Sequence, residues 1–242
     1  MNGPTLWAVV PVKSFRAAKV RLAAVLSADQ RCALARAMFE DVLNVLVHSP
    51  FIAGVLVVTI DPHAEAMARL AGASVLRDPP EGGLNASVRA AACTLAAAQR
   101  GGMLVVPTDL PQITPADIEL ISLGHRRSLA VTLVAATRDG GTNALACSPP
   151  DALPILFGED SFRRHEAAAL ALGLSPRVLT LPRFERDIDR PDDLLAFLDD
   201  PRRPSATHTH ACLKASAAVR QIAQTDRLQI SATTQCEGIQ QS

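Results

Sequence analysis

Two acidic segments of this 242-residue chain carry side chains suited to binding a metal ion. Asp109 lies between two prolines directly after an apolar stretch, and Asp187 and Asp189 are separated by one residue. Carboxylate oxygens are the ligands that Mg²⁺ prefers, and protein-bound Mg²⁺ usually contacts substrate phosphates as well. We therefore predict a Mg²⁺ site that draws on Asp109, Asp187 and Asp189. The structural alternatives are a proline turn at Asp109 and helix capping at the later pair.

A basic segment near the N-terminus is suited to binding a polyphosphate. Four cations, Lys13, Arg16, Lys19 and Arg21, occur within nine residues directly after the first apolar stretch. Lys supplies a compact charge, and Arg can bind two phosphate oxygens at once. The motifs G-x-x-x-x-G-K-[ST] and G-x-G-x-x-G do not occur, so neither a P-loop ATPase nor a dinucleotide-binding fold is indicated. The structural alternative is a solvated basic loop.

The rest of a nucleotide could be held by a glycine-rich segment and by the residue next to Asp109. Gly82 and Gly83 would let the backbone approach a flat ligand, and Asn85 offers a donor and an acceptor to a base or ribose. We add Thr108 to this predicted nucleotide site. A turn in which Asn85 caps a helix is the structural alternative.

Two later segments pair glycine with a hydroxyl side chain. The first contains Gly141 and Thr142, and the second contains Gly158 and Ser161. The second segment begins a predicted helix, so its backbone amides and the Ser161 hydroxyl could hold a carboxylate or a phosphate. Helix capping alone is the competing interpretation.

These segments must be positioned by an alternation of strands and helices. Aromatic residues make up only 3% of the chain, so the core must consist of aliphatic side chains. Apolar runs predict strands at 6–12, 54–60, 74–76, 103–107, 131–136, 143–147 and 177–181, and the intervening segments have helical periodicity. This alternation predicts an α/β fold with a single doubly wound, mostly parallel sheet and helices on both faces. Ligands bind beyond the carboxyl ends of such strands.

Composition limits the classes of partner. Lys plus Arg and Asp plus Glu each number 24, so no net charge favours broad binding to nucleic acid or to an anionic membrane. The five cysteines include no C-x-x-C pair, which argues against a zinc site or a disulfide framework. We find no signal-peptide pattern and no apolar run of the roughly 18 residues that a membrane span needs. The expectation is a cytoplasmic protein that binds neither nucleic acid nor membrane.

The ordered set of motifs resembles the guanylyltransferases that activate 2-phospholactate, phosphoenolpyruvate or 3-phosphoglycerate in the biosynthesis of coenzyme F-420. The resemblance covers about residues 6–198. The segments that carry it are Val9-Val10-Pro11-Val12-Lys13 with Lys19-x-Arg21-Leu22, Gly83-Leu84-Asn85, Pro107-x-Asp109-Leu110-Pro111, Gly141-Thr142-Asn143-Ala144-Leu145, and Phe157-Gly158 with Ser161-Phe162. It implies a nucleotidyltransferase-like, Rossmann-like domain over residues 1–200. We expect residues 201–242 to form a polar tail, flexible or weakly helical.

The resemblance also implies an activity and a set of roles. The activity would be transfer of GMP from GTP to the phosphate of a three-carbon acid, with release of pyrophosphate and with Mg²⁺ as cofactor. The implied catalytic residues are Lys13, Lys19, Arg21 and Asp109, and Arg21 matches the arginine that binds the triphosphate in related nucleotidyltransferases.

The same resemblance assigns the remaining ligands. Thr142, Gly158 and Ser161 would hold the phosphorylated acid, and one carboxylate of Asp187 and Asp189 would bind the metal. This chain has Arg190 where the family usually has threonine, so the choice between the two carboxylates stays open. A homodimer is a further expectation.

Two other functions remain open from the sequence. One is a nucleotidyltransferase of the same fold that uses CTP or UTP and a sugar or polyol phosphate. The other is a nucleotide-binding module without catalysis.

Overall fold

A seven-stranded sheet forms the centre of the computed structural model, which describes residues 5–80, 82–125, 129–136, 140–185, 187–201, 207–216 and 219. The strands are β1 (Leu6–Val12), β2 (Gly54–Thr59), β3 (Ser74–Arg77), β4 (Gly102–Val105), β5 (Ala130–Ala135), β6 (Thr142–Ser148) and β7 (Arg177–Leu179). Their order in the sheet is β3-β2-β1-β4-β6-β5-β7. Strand β1 is therefore internal, as its continuous apolar run predicts.

Helices separate most of the strands along the chain. They are α1 (Ala28–Val47), α2 (Pro62–Leu70), α3 (Leu84–Ala97), α4 (Pro115–Ser122), α5 (Ser161–Ala171), α6 (Pro191–Asp199) and α7 (His208–Ala215). Two short 3₁₀ segments, Phe15–Ala17 and Val20–Leu22, lie between β1 and α1. Helix α1 begins with the capping box that Ser27 and Gln30 predict. None of the described helices is long and apolar enough to cross a membrane.

The sheet is mostly parallel and is covered on both faces. Strand β1 runs parallel to β2 and β4, and β2–β3 and β5–β7 are also parallel pairs. Ala8 and Val10 pack on one face with α1, α2 and α4, whereas Val9 packs on the other with α3 and α5. Successive side chains of a strand point to opposite faces of the sheet. Because helices cover both faces, the strands carry apolar residues on both sides. The predicted doubly wound α/β fold is confirmed.

Strand β6 is the exception to the parallel arrangement. It is antiparallel to both β4 and β5, with Val105 opposite Leu145. The start of β6, at Thr142, therefore lies at the same edge of the sheet as the end of β4. The first residues of β6 thus lie beside the last residues of β4 and β5.

Part of the C-terminal segment packs on the rest of the protein. The Asp41 carboxylate of α1 accepts hydrogen bonds from the backbone N–H groups of His208 and Thr209, at 2.8 and 2.9 Å. Leu213 and Val219 are buried in a third apolar cluster. That cluster also contains Leu22, Leu26, Leu34, Met38, Ile188, Leu194 and Phe197. A regular helix is thus present where the sequence predicts a flexible or weakly helical tail, although the boundary at residue 200 stays a prediction.

Candidate active site

The three predicted metal ligands lie together at the carboxyl edge of the sheet. One carboxylate oxygen from each of Asp109, Asp187 and Asp189 lies within 4.8 Å of the others, and we call these three residues the acidic cluster. The backbone N–H of Ile188 donates to the Asp109 carbonyl oxygen at 3.2 Å. The Ile188 side chain is buried. The loop after β4 and the loop before α6 are therefore held against each other by this hydrogen bond, while the Ile188 side chain anchors the second loop in the apolar cluster of Leu22 and Leu194.

Helix capping does not explain the Asp187–Asp189 pair. Arg190 occupies the capping position of α6, and the carboxylate of Asp193, the third residue of the helix, accepts hydrogen bonds from the N–H groups of Asp189 and Arg190, at 3.0 and 2.7 Å. A Lys19 ammonium and the neighbouring carboxylates surround the side chain of Asp189 instead. The geometry thus favours a metal-binding role over the capping alternative.

The basic loop, residues 13–21, reaches the acidic cluster through Lys19 and Arg21. Lys19 Nζ lies 2.8 Å from Asp189 Oδ1 and 3.5 Å from Asp109 Oδ2, and only 9% of its side chain is exposed. Lys19 also has a left-handed backbone conformation, with φ 54°, which is uncommon outside glycine. Arg21 Nη1 lies 3.3 Å from Asp189 Oδ2, with 69% of the side chain exposed. The predicted meeting of cations and carboxylates from distant segments is present.

Burial and mutual repulsion shift the pKa values in this site. Burial, followed by the charges of Asp109 and Asp189, raises the pKa of Asp187 to about 6. Burial also opposes ionisation of Asp189, but the charge and hydrogen bond of Lys19, with the charge of Arg21, lower its pKa. Burial alone would lower the pKa of Lys19, yet the charges of Asp109 and Asp189 raise it. The excess of carboxylates over ammonium groups leaves negative charge that a divalent cation could balance.

A cavity of about 360 Å³ lies beside the acidic cluster. Its lining includes Lys13, Lys19, Thr108, Asp109 and Asp189, all predicted site residues. Its size is within the usual range for small-molecule sites. Lys13 is exposed and forms no ion pair with any residue that the structure describes.

The glycine-rich segment contributes to this cavity through its later residues. Leu84 and Ser87 line the cavity. Gly82 and Gly83 have φ angles of 67° and 84°, which favour glycine, and Gly83 directly precedes α3. The two glycines therefore shape the turn that brings Leu84 to the cavity wall.

In the structure, the side-chain amide of Asn85 binds the backbone of Phe157, and the predicted contact with a base or ribose stays a prediction. Its Nδ2 donates to the Phe157 carbonyl oxygen at 2.9 Å, and its Oδ1 accepts from the Phe157 N–H at 2.8 Å. Those bonds use one of the two N–H groups and one lone pair of the amide oxygen. Gly83, not Asn85, occupies the helix-capping position. Asn85 thus joins the glycine-rich segment to the segment that contains Gly158.

The predicted acid-binding residues form a second group around the beginning of α5. Thr142 and Ser161 are buried, and the Ser161 N–H donates to the Gly158 carbonyl oxygen at 3.2 Å. The Phe162 N–H donates to the Gly140 carbonyl oxygen at 3.0 Å. Asp160, not Ser161, occupies the position before the helix, so capping does not account for the Ser161 hydroxyl. Thr142, Gly158 and Ser161 are not among the lining residues of the 360 Å³ cavity, but Thr142 shares its sheet edge.

Two residues of the site were missed by sequence reasoning. His165, which is fully buried on α5, lies 3.0 Å from the Thr142 hydroxyl through Nδ1. Its spacing of four residues from Ser161 on one helix was an available signal. Asp61 accepts a hydrogen bond from the N–H of Phe15 in the basic loop, at 2.9 Å. No sequence pattern links Asp61 to Phe15.

Comparisons with known proteins identify the family. The model of the family described as "Guanylyl transferase CofC like" matches residues 6–229, a span that continues beyond residue 200. Phosphoenolpyruvate guanylyltransferase of Conexibacter woesei is 37% identical over 210 residues, covering 86% of this chain and 94% of that protein. The 3-phospho-D-glycerate guanylyltransferase of Phenylobacterium zucineum is 36% identical over 200 residues, covering 80% of this chain and 90% of its own.

A solved structure supports the fold. A protein from Desulfovibrio desulfuricans G20, named as a nucleotide-diphospho-sugar transferase, aligns with a TM-score of 0.75 and 16% identity, covering 90% of this chain and 98% of its own. At that identity the likeness concerns the fold alone. The family match and the relatives above 30% identity decide the family. This chain belongs to the family of CofC-like guanylyl transferases.

Proposed function

We propose that the protein transfers GMP from GTP to the phosphate of a three-carbon phospho-acid and releases pyrophosphate. The observation that carries the proposal is the convergence of Lys19, Arg21 and the acidic cluster beside one cavity. The names of the relatives support the choice of substrates, because they act on phosphoenolpyruvate or 3-phospho-D-glycerate. We place the reaction in coenzyme F-420 biosynthesis, as the family resemblance implies.

The acidic cluster fits a divalent cation, for which we propose Mg²⁺. Asp109, Asp187 and Asp189 offer only carboxylate oxygens, the ligand type that this hard cation prefers. When bound, Mg²⁺ would supply charge neutralisation and Lewis acidity at the reacting phosphates. The ammonium of Lys19 and the guanidinium of Arg21 are close enough to share that electrostatic role.

The chemical step needs no protein nucleophile. A phosphate oxygen of the acid attacks the α-phosphorus of GTP in line, and a new P–O bond forms as the bond to the bridging oxygen of the β-phosphate breaks. The bond electrons leave with pyrophosphate, whose charge Lys13, Lys19 and Arg21 neutralise. Because these cations are positioned before the reaction, they can stabilise the transition state without costly rearrangement.

The acid is proposed to bind at Thr142, Gly158 and Ser161. The backbone of this region is organised by the hydrogen bonds of Gly140 to Phe162 and of Gly158 to Ser161. Asn85 links it to the glycine-rich segment beside the nucleotide cavity. This link would hold the attacking phosphate and the GTP at a fixed separation, which is a large part of catalysis by positioning.

The direct test is incubation of the protein with GTP, Mg²⁺ and each of phosphoenolpyruvate, 3-phosphoglycerate and 2-phospholactate in separate reactions. We expect pyrophosphate release and a product whose mass equals the acid plus GMP. Parallel reactions with ATP, CTP or UTP and with sugar or polyol phosphates test the alternative transferase. GTP binding without pyrophosphate release in any reaction would instead support a non-catalytic module.

A further inference from the structure

His165 is a buried histidine whose two ring nitrogens both have partners. Nε2 lies 3.0 Å from the backbone N–H of Leu156, and Nδ1 lies 3.0 Å from Thr142 Oγ1. A backbone N–H can only donate, so Nε2 must be the accepting nitrogen. Burial, with a smaller effect from Arg164, lowers the pKa of His165 to about 4, so the ring is neutral at neutral pH. The proton of a neutral ring with this pairing is on Nδ1.

This tautomer determines the direction of the hydrogen bond to Thr142. Nδ1–H donates to Oγ1, so the hydroxyl accepts from His165 and must direct its own proton elsewhere. No other hydrogen bond joins this hydroxyl to a residue in the described part of the chain. Thr142 lies at the start of β6, at the edge where β4 ends and the candidate active site begins.

The same histidine connects two segments that hold the proposed acid site. Its Nε2 fixes the backbone at Leu156, and its ring packs edge-on against Phe157 with centroids 5.0 Å apart. Phe157 in turn precedes Gly158 and is held by Asn85. One buried side chain thus determines the position of the Thr142 hydroxyl and of the backbone that leads to Gly158.

We propose that His165 is a positioning residue that makes the Thr142 hydroxyl a hydrogen-bond donor to an anionic oxygen of the acceptor acid. The inference rests on the proposed function, because it assumes that Thr142 contacts the acid. It deepens that function by stating the direction of a hydrogen bond to the acid. The Thr142 hydroxyl donates, so its partner is an oxygen that only accepts hydrogen bonds, as in a carboxylate or a phosphate. His165 itself does not touch the substrate.

The test compares three replacements of His165 that remove different bonds. The amide of His165→Asn can replace the Nδ1 donor but does not reach Leu156, whereas the amide of His165→Gln reaches the Nε2 position but not Thr142. His165→Leu removes both bonds. We expect KM for the acid to rise about tenfold or more in His165→Gln and His165→Leu. KM for GTP and kcat at saturation should change by less than about threefold, and His165→Asn should retain most of the wild-type KM for the acid.

A double-mutant cycle separates positioning from a purely structural effect. In a Thr142→Val background, His165→Gln should raise KM for the acid no further, because the hydroxyl through which it acts is gone. Thr142→Ser, which keeps the hydroxyl, should rescue KM relative to Thr142→Val. Equal impairment by His165→Asn and His165→Gln, or a parallel rise in KM for GTP, would overturn the proposal.

A measurement on the unmodified protein covers the case in which the variants fold poorly. Nitrogen-15 NMR of labelled histidine rings should show His165 neutral and protonated on Nδ1 at neutral pH, and protonation on Nε2 would contradict the inference. The wild-type reaction separates this inference from the proposed function. If no acid accepts GMP from GTP, the function fails; if transfer occurs but the histidine variants do not discriminate, only the role of His165 fails.

Discussion

The ammonium of Lys19 lies 2.8 Å from Asp189, although the two residues are 170 positions apart in the sequence. Lys19 is almost completely buried and also contacts Asp109, so it joins the basic loop to both acidic loops. A long cationic side chain is rarely buried unless it is paired. The pairing therefore accounts for the position of Lys19 in the core of the candidate site.

Replacement of Lys19 by glutamine should lower catalysis strongly. Gln has a similar length but no charge, so it can neither balance the acidic cluster nor neutralise pyrophosphate. We expect kcat/KM for GTP to fall about 100-fold, the effect of losing one preorganised charge-stabilising group. Steady-state pyrophosphate assays check this. Arg69→Ala, which removes an exposed ion pair within α2, is the control and should be neutral; a Lys19→Gln enzyme within threefold of wild type would contradict the role.

Asn85→Ala should affect the acid site more than the nucleotide site. The change leaves the backbone N–H and C=O of Phe157 without the partners that Asn85 provides. We expect a loss of about 1–2 kcal/mol in the free energy of unfolding and a larger rise in KM for the acid than for GTP. Thr94→Ala on the same helix is the control, because the exposed Thr94 hydroxyl donates to the Ala90 carbonyl within the helix and has no other side-chain hydrogen bond among the described residues. A rise confined to KM for GTP would favour the original prediction of a direct nucleotide contact.

Asp41→Ala tests whether the C-terminal helix supports the metal site. Removing this carboxylate takes away the acceptor of two backbone N–H groups in the first turn of α7, at a cost of about 1 kcal/mol, whereas the Thr207 cap remains. Helix α7 packs in the same cluster as Ile188 and Leu22, which are adjacent to Asp189 and Arg21. We therefore expect the Mg²⁺ concentration for half-maximal activity to rise several-fold. Asn44→Ala, a change at an exposed position of the same helix, is the control; an unchanged Mg²⁺ requirement in Asp41→Ala would argue against the support.

Stability should decline as the pH falls below neutrality, in part because of His125. Burial, with a smaller effect from Arg177, lowers the pKa of His125 to about 4. His125 binds a proton below about pH 6.5 in the unfolded chain but only below about pH 4 in the folded chain. Its contribution to stability is therefore fully present above about pH 6.5 and is lost as the pH falls from about 6.5 to about 4. The expected loss from this group is about 2 kcal/mol between pH 7 and pH 5.

Urea unfolding at pH 7 and pH 5 measures this loss. His125→Asn should be less stable than wild type at pH 7, because the ring bonds to Ser148 and Thr132 are removed, but should lose less stability between the two pH values. His48→Asn, which changes an exposed histidine, should follow the wild-type slope. An identical pH slope in His125→Asn would refute the assignment. The lowered pKa of His165 should likewise make the folded protein less stable as the pH falls.

The fold was largely predictable because its signals are local. The continuous apolar run of β1 and the capping box at Ser27 depend on adjacent residues, and both were read correctly. The antiparallel direction of β6 was not predicted, because strand direction depends on which neighbours pair. Packing of α7 was also missed, since its buried side chains are spread among polar residues and the carboxylate that binds its first turn, that of Asp41, belongs to another helix.

In the site, the residue types were predictable and the partners were not. The acidic cluster was found because carboxylates at strand ends have a recognisable chemistry. The same reasoning assigned Asn85 to the nucleotide site, because a side-chain amide offers the same donor and acceptor groups to a ligand and to a protein backbone. Only three-dimensional proximity reveals that Phe157 uses them.

The central claim is that Asp109 anchors a metal-dependent transfer of GMP, and Asp109→Ala tests it most directly. The measurement is pyrophosphate release from GTP in the presence of Mg²⁺ and the preferred acid, with circular dichroism to verify the fold. We predict Mg²⁺-dependent release by the wild type and a rate at least about 100-fold lower in the variant. A folded Asp109→Ala protein that turns over at nearly the wild-type rate would contradict the account.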